Sequence, residues 1–110
     1  MSLSLIKDQL ALLTLQISQR KQSIEKSELQ NSDMLVMLSI YDQLIIDLAS
    51  EYKILEQHIL NIDKSLKIYS DIAKSQGTIL KLISIESDYR KNLALSSWQT
   101  IVKFANELLK

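Results

Sequence analysis

Apolar residues recur along the first two thirds of the chain at alternating spacings of three and four. Between Leu3 and Gln76 this phase makes 18 of 22 positions apolar, whereas the apolar content of 46% would give about 10. A repeat of 3.5 residues is the signature of a coiled coil. From Met34 to Ala73 its twelve positions carry only aliphatic side chains, Met and Tyr. The pattern predicts long helices that pack along one face, here called the heptad seam.

Polar residues interrupt the heptad seam at Arg20, Ser27 and Asn31. Because residues 31–33 are cap and turn formers, we expect a first helix over about 3–30 and a second over about 34–75. Either Ser32 or Asp33 is the predicted N-cap.

Two other interpretations of the same interruption stay open. Since the phase does not slip, one unbroken helix about 100 Å long could run from Leu3 to Ala73. Alternatively, Arg20, Ser27 and Asn31 could be polar layers that set the register of a longer coil.

The single glycine indicates the next helix boundary. Gly77 fits the C′ position of the second helix, and Thr78 fits the N-cap of a third over about 79–95. A new apolar phase then begins, at Leu95, Trp98, Val102, Ala105 and Leu109. Because Ser96 and Gln99 have capping-box spacing, we expect a kink or a break near Ser96 and a last segment over about 97–109.

These lengths predict an all-α fold in one domain over 1–110: an elongated antiparallel three-helix bundle or coiled-coil hairpin. The stretch Met34–Ala49 is apolar on more than one face, so we expect the second helix to be central and covered from several sides. After Glu51 the apolar stripe narrows. That part is expected to project as a two-helix coil or to pair with another chain.

Composition narrows the classes of function. The 110 residues include no Cys and no Pro, and 13 basic residues balance 13 acidic ones. No disulfide framework or thiol chemistry is possible, and a neutral chain has no bulk attraction for nucleic acid. The basic cluster of residues 20–26 is diluted by Glu25 and Glu28. Neither a membrane span nor a secretory signal is apparent, and the last helix has few lysines for a membrane surface, so we expect an intracellular, soluble protein.

No group of residues has the pattern of a catalytic or metal site. His58 is the only histidine, and no acid lies three or four residues away to share a metal with it. Asp47 and Glu51 share a helix face as solvated acids, and Ser96 has no histidine partner. We therefore expect no enzyme activity, no cofactor and no small-molecule substrate.

Protein partners remain as the predicted ligands, in a homo-oligomer or a hetero-oligomer. The candidate contact residues are the seam positions of the second helix and the aromatics of the last: Tyr52, Leu55, Ile59, Ile62, Leu66, Tyr69, Trp98 and Phe104. We expect Trp98 either to dock into the bundle or to anchor a partner. The favoured function is a non-catalytic subunit or adaptor of a multiprotein assembly. The alternatives are a dedicated binder of one client, such as a secretion-type chaperone or an inhibitor, and a regulatory helical domain of a membrane-trafficking protein.

Overall fold

Two short turns divide the chain into three helices. The computed structural model describes residues 2–74 and 76–110. Helix α1 spans Leu3–Glu25, α2 spans Ser32–Ile72 and α3 spans Gly77–Leu108. The molecule measures 69 × 16 × 16 Å, and α2 packs against both other helices. The predicted elongated three-helix bundle, with the second helix at its centre, is confirmed.

The turn between α1 and α2 begins earlier than predicted. Helix α1 ends at Glu25 rather than near residue 30. The side-chain amide of Gln30 folds back and donates hydrogen bonds to the backbone carbonyls of Ile24 and Glu25, the last residues of the helix. Asn31, not Ser32 or Asp33, is the N-cap of α2, and its side-chain oxygen accepts from the Met34 amide at 2.9 Å. One unbroken helix is therefore excluded, and Asn31 marks the hairpin end.

The second turn also differs from the prediction. Helix α2 ends at Ile72, and the predicted end at Ser75 lies outside the described residues. Gly77 is the first residue of α3 with Gln76 as its N-cap, so its assignment as C′ and that of Thr78 as N-cap were wrong. Gly77 does not have the positive φ that a C′ glycine adopts.

Helix α3 runs without interruption through Ser96, so the predicted division into helices over 79–95 and 97–109 is wrong. The Thr100 hydroxyl donates to the Ser96 carbonyl at 3.0 Å, inside the helix. The apolar phase changes there because α3 begins to pack on α1 as well as on α2. The Trp98 indole reaches across to Gln9 of α1, whereas nearer its start α3 packs on α2 alone.

The apolar core lies in the half of the molecule where all three helices meet. Its buried members come from the first two thirds of α1, the middle of α2 and the end of α3: Ile6, Leu13, Ile17, Tyr41, Leu44, Leu48, Tyr52, Leu55, Trp98, Val102 and Ala105. The expectation that Met34–Ala49 is covered on several sides is only partly right. Leu35, Val36 and Ile46 remain more than half exposed because no element packs on that side of α2.

Beyond the N-terminus of α1, the molecule continues as two helices only. We call residues 59–72 of α2 and 77–90 of α3 the distal hairpin. Within it Ser87 is the buried residue, while Ile62, Leu66 and Ile83 are half-buried. This arrangement agrees with the expectation that the later part of α2 projects as a two-helix coil, although it starts near Ile59 rather than after Glu51.

Candidate interaction surface

One side of the α2–α3 pair carries no contact from α1, and a continuous groove runs along it. We call this side the open face. Its lining comes entirely from α2 between Asp47 and Tyr69 and from α3 between Ile83 and Phe104. The groove begins beside the three-helix core and continues along the distal hairpin. It therefore spans both halves of the molecule.

The shoulders of the groove are apolar. Ile54 and Tyr69 line it from α2, Leu93 and Phe104 line it from α3, and each is about half exposed. The same helical stripes continue past the groove through Ile68 and Ile72 on α2 and through Ile79 and Leu82 on α3. Ile72 has the largest exposed fraction of these, 76%. Aliphatic groups thus extend over both helices of the open face.

The opposite side of the distal hairpin carries charged side chains next to α1. Where α1 begins, at Ser2 and Leu3, the cleft between α2 and α3 is lined by Asp63, Asp88 and Lys91 together with apolar residues such as Ile59 and Leu95. The Lys91 ammonium pairs with the Asp63 carboxylate at 2.5 Å across the two helices. On this side an ion pair thus joins the two helices, whereas the Arg90–Glu86 pair of the open face lies within one helix.

The structure separates the predicted contact residues into three groups. Tyr52, Leu55 and Trp98 are core residues, and Ile59 packs against the core from its edge. Ile62 and Leu66 are half-buried in the groove, while Tyr69 and Phe104 are exposed on its rim. Only the last two groups are available to another molecule.

Sequence reasoning identified only Phe104 among the α3 residues of this surface. Ile83, Arg90 and Leu93 line the groove opposite the α2 residues, yet none was among the candidates. The available signal was the apolar stripe of the third helix, which has no place in the core. The heptad phase stops before α3 begins, so it gave no indication that the stripe of α3 lies beside that of α2.

Tyr52 and Trp98 illustrate why part of the heptad seam is internal. Their rings meet edge to face, with centroids 6.2 Å apart and planes at 72°. The Tyr52 hydroxyl donates to the Glu56 carboxylate at 2.9 Å. Burial raises the pKa of this hydroxyl, and the hydrogen bond to Glu56 raises it further. Both groups hold α2 and α3 together and leave no aromatic surface for a partner.

Two pairs of polar side chains on the open face form hydrogen bonds within their own helices. Arg90 donates to Glu86 at 2.7 Å, and Gln43 donates to Asp47 at 2.8 Å. His58 is exposed at the groove wall. Among the described residues, no group of three or more His, Cys, Asp or Glu is placed to hold a metal ion. The open face therefore provides apolar contact area and a few solvated charges.

Comparison with protein-family models, with curated proteins and with solved structures gives no match for this chain. In the part of the chain that the structure describes, no helix combines the length and the apolar character needed to cross a bilayer.

Proposed function

We propose that this protein is a non-catalytic helical subunit that joins an assembly through the open face of α2 and α3. The observation that carries the proposal is the apolar, uncovered groove that runs from Asp47 and Phe104 to Tyr69 and Ile83. Its walls are formed by helices, which supports a contact made by helix packing. Exposed apolar patches of this extent are typical of interaction sites.

Energetics supports an occupied groove. Full burial of one Ile, Leu or Phe side chain is worth about 1.5–3 kcal/mol. Tyr69, Leu93 and Phe104 are each half exposed, so covering them recovers a large part of that free energy. The distal hairpin also gains, because a two-helix segment with one buried residue has little core of its own.

The charge distribution supports the choice of face. The hairpin side that continues the line of α1 is closed by the Lys91–Asp63 pair, and covering it would desolvate both charges. On the open face the charged residues are few and stand among aliphatic groups. A partner on the open face therefore covers apolar side chains without desolvating an ion pair that joins the two helices.

Site-specific photo-crosslinking in the source cells tests this function. A photoreactive phenylalanine analogue is placed at Tyr69, on the rim of the groove, or at Leu12 of α1, which is similarly exposed but lies away from the groove. We expect a discrete crosslinked polypeptide from position 69 and none from position 12. Equal labelling from both positions, or no discrete product from 69, would refute the proposal.

The mass of the crosslinked product separates kinds of assembly. A product of two identical chains indicates a homo-oligomeric subunit, and a second polypeptide indicates a heteromeric one. If the second polypeptide is released unfolded after purification, the protein is a dedicated binder of that client instead of a permanent subunit.

A further inference from the structure

We infer that a second copy of this chain covers the open face, so that two α2–α3 pairs pack face to face about a two-fold axis. The inference rests on the proposed function, because it names the occupant of the same groove. Three features carry it: the area of the face, its width and its charges.

The area matches what a stable dimer needs. From Asp47 to Ile72 helix α2 is about 39 Å long, and α3 runs alongside it over the same distance. Two adjacent helices are about 20 Å wide, which gives a footprint of about 800 Å². A standard specific interface buries about 800 Å² on each partner. The three-helix core and the distal hairpin both contribute, so neither part alone is large enough.

The width of the face favours a two-helix partner over a single helix. One helix seated in the groove covers a strip about 10 Å wide, between the two rows of side chains. Ile72 at the far edge of α2 and Leu82 at the far edge of α3 would stay exposed, at 76% and 60% in the free chain. A second α2–α3 pair covers groove and shoulders together. The same chain supplies such a pair with the same spacing.

The charges permit self-association. The chain has a formal net charge of zero, so two copies meet without net repulsion. Near the middle of the face stand one acid and one base, Glu86 and Arg90, which are 61% and 64% exposed as side chains. In an isologous interface each copy presents both signs to the other. The other two acids that line the groove, Asp47 and Glu51, lie at its end beside the three-helix core. The pair that forms within one helix can therefore be exchanged between copies without leaving Glu86 or Arg90 alone.

The test is the mass of the purified full chain in solution. Sedimentation velocity is run at concentrations on the order of 10–100 μM. We expect twice the chain mass of 12.6 kDa. Leu93→Asp, on the groove wall, is expected to weaken dimerisation by at least about tenfold, because the interface would have to desolvate a charge. Leu12→Asp changes a residue of the same type and the same 55% exposure on α1, away from the groove, and should leave the dimer intact.

Each outcome decides between the two proposals. A wild-type chain that stays monomeric, or a dimer unchanged by Leu93→Asp, overturns the second-copy inference. Circular dichroism is used to check that both variants are folded. Tyr69→Asp, which changes a 57% exposed residue of α2, provides an independent variant of the same face. A monomer whose position 69 still crosslinks to a different polypeptide keeps the proposed function and loses only the homodimer. A monomer without crosslinks loses both.

Discussion

The indole nitrogen of Trp98 donates a hydrogen bond of 2.8 Å to the side-chain oxygen of Gln9, 89 residues earlier in the chain. This bond joins the first and the last helix, which otherwise both pack mainly on α2. Trp98 is 1% exposed, so its N–H has no free access to solvent and depends on Gln9. A glutamine at the edge of an apolar core thus helps to place α3 against α1.

Gln9→Ala removes the only acceptor that the structure gives this indole. We expect a loss of about 1–3 kcal/mol in the free energy of unfolding, because a buried donor is left without a partner. Denaturant unfolding followed by Trp98 fluorescence measures it. Gln16→Ala, an exposed glutamine of the same helix, is the matched control and should cost less than about 0.5 kcal/mol. Equal effects of the two changes would show that the Trp98–Gln9 bond does not stabilise the fold.

Trp98→Ala tests whether the last turns of α3 belong to the core. Removing a fully buried aromatic side chain costs about 3–5 kcal/mol. Tyr89→Ala removes an aromatic ring from the same helix at a position that is 62% exposed, and the expected cost is about 1 kcal/mol or less. Thermal and denaturant melts of both variants give the comparison. A small effect at Trp98 would mean that α3 does not dock on α1 as described.

The heptad pattern was sufficient to predict the fold class and the central place of α2. Leu48, Tyr52 and Leu55 follow the phase and are buried, because α1 and α3 both pack against that stripe. Asn31 was recognised as a hairpin residue for the same reason, since a polar residue in an otherwise apolar phase has to lie outside the packed stretch. Local pattern and tertiary packing agree in this half of the molecule.

The continuity of α3 through Ser96 could not be predicted from local signals. Ser96 and Gln99 have the spacing of a capping box, but a continuing helix satisfies the same backbone groups, and the Thr100 hydroxyl bonds to the Ser96 carbonyl. The apolar phase of α3 changes where α3 begins to pack on α1 as well as on α2. That point depends on where the N-terminus of α1 lies in the folded molecule. Gly77 was misplaced for a related reason: a glycine is compatible with either side of a helix boundary.

The open face was only half predicted. Ile62, Leu66 and Tyr69 are seam positions, and the sequence placed them in the part of the second helix that was expected to project as a two-helix coil or to pair with another chain. Their partners Ile83 and Leu93 required knowledge of how α3 is rotated against α2. That rotation is set in the three-helix half by Trp98 and Val102, far along the chain from the groove they help to shape.

Alkaline pH should destabilise the fold through Tyr52. Its pKa is raised in the folded state, so the unfolded chain loses the phenol proton first, near 10.0. The stabilisation is fully present below that pH and is lost as the pH rises through the folded-state pKa. Lys21 adds to the same loss, because its hydrogen bond to Asp42 raises its pKa.

Tyr52→Phe isolates the tyrosine contribution. At pH 7 we expect the variant to be less stable by about 0.5–1.5 kcal/mol, because the hydrogen bond to Glu56 is gone. Above pH 10 the wild type should lose more stability than the variant, so the difference between them shrinks. Urea melts at the two pH values measure it, and Tyr89→Phe at an exposed position is the control. A difference that stays constant with pH would contradict the burial of this hydroxyl.

Local stability should fall along the length of the molecule. In the three-helix half the amides of residues 41–55 and 98–105 lie around the buried core, whereas the distal hairpin has Ser87 as its buried residue. Opening the distal hairpin exposes less apolar surface than global unfolding, so it should occur separately. In the Leu93→Asp variant we expect its amides to exchange at least about tenfold faster than those of the core, a difference of about 1.4 kcal/mol. Native-state hydrogen exchange resolved by mass spectrometry measures both groups in one sample.

Hydrogen exchange of the wild-type chain tests whether the open face stabilises the distal hairpin. If a second copy covers the groove, exchange in the distal hairpin should slow with rising protein concentration, because the dimer adds the surface that the two helices lack. The core amides around Leu48 should change less, since three helices already bury them. Uniform protection along α2 in the Leu93→Asp variant would mean that the distal hairpin is stable without any partner. The free-energy reason for occupying the groove would then be limited to its exposed rim residues, Tyr69, Leu93 and Phe104.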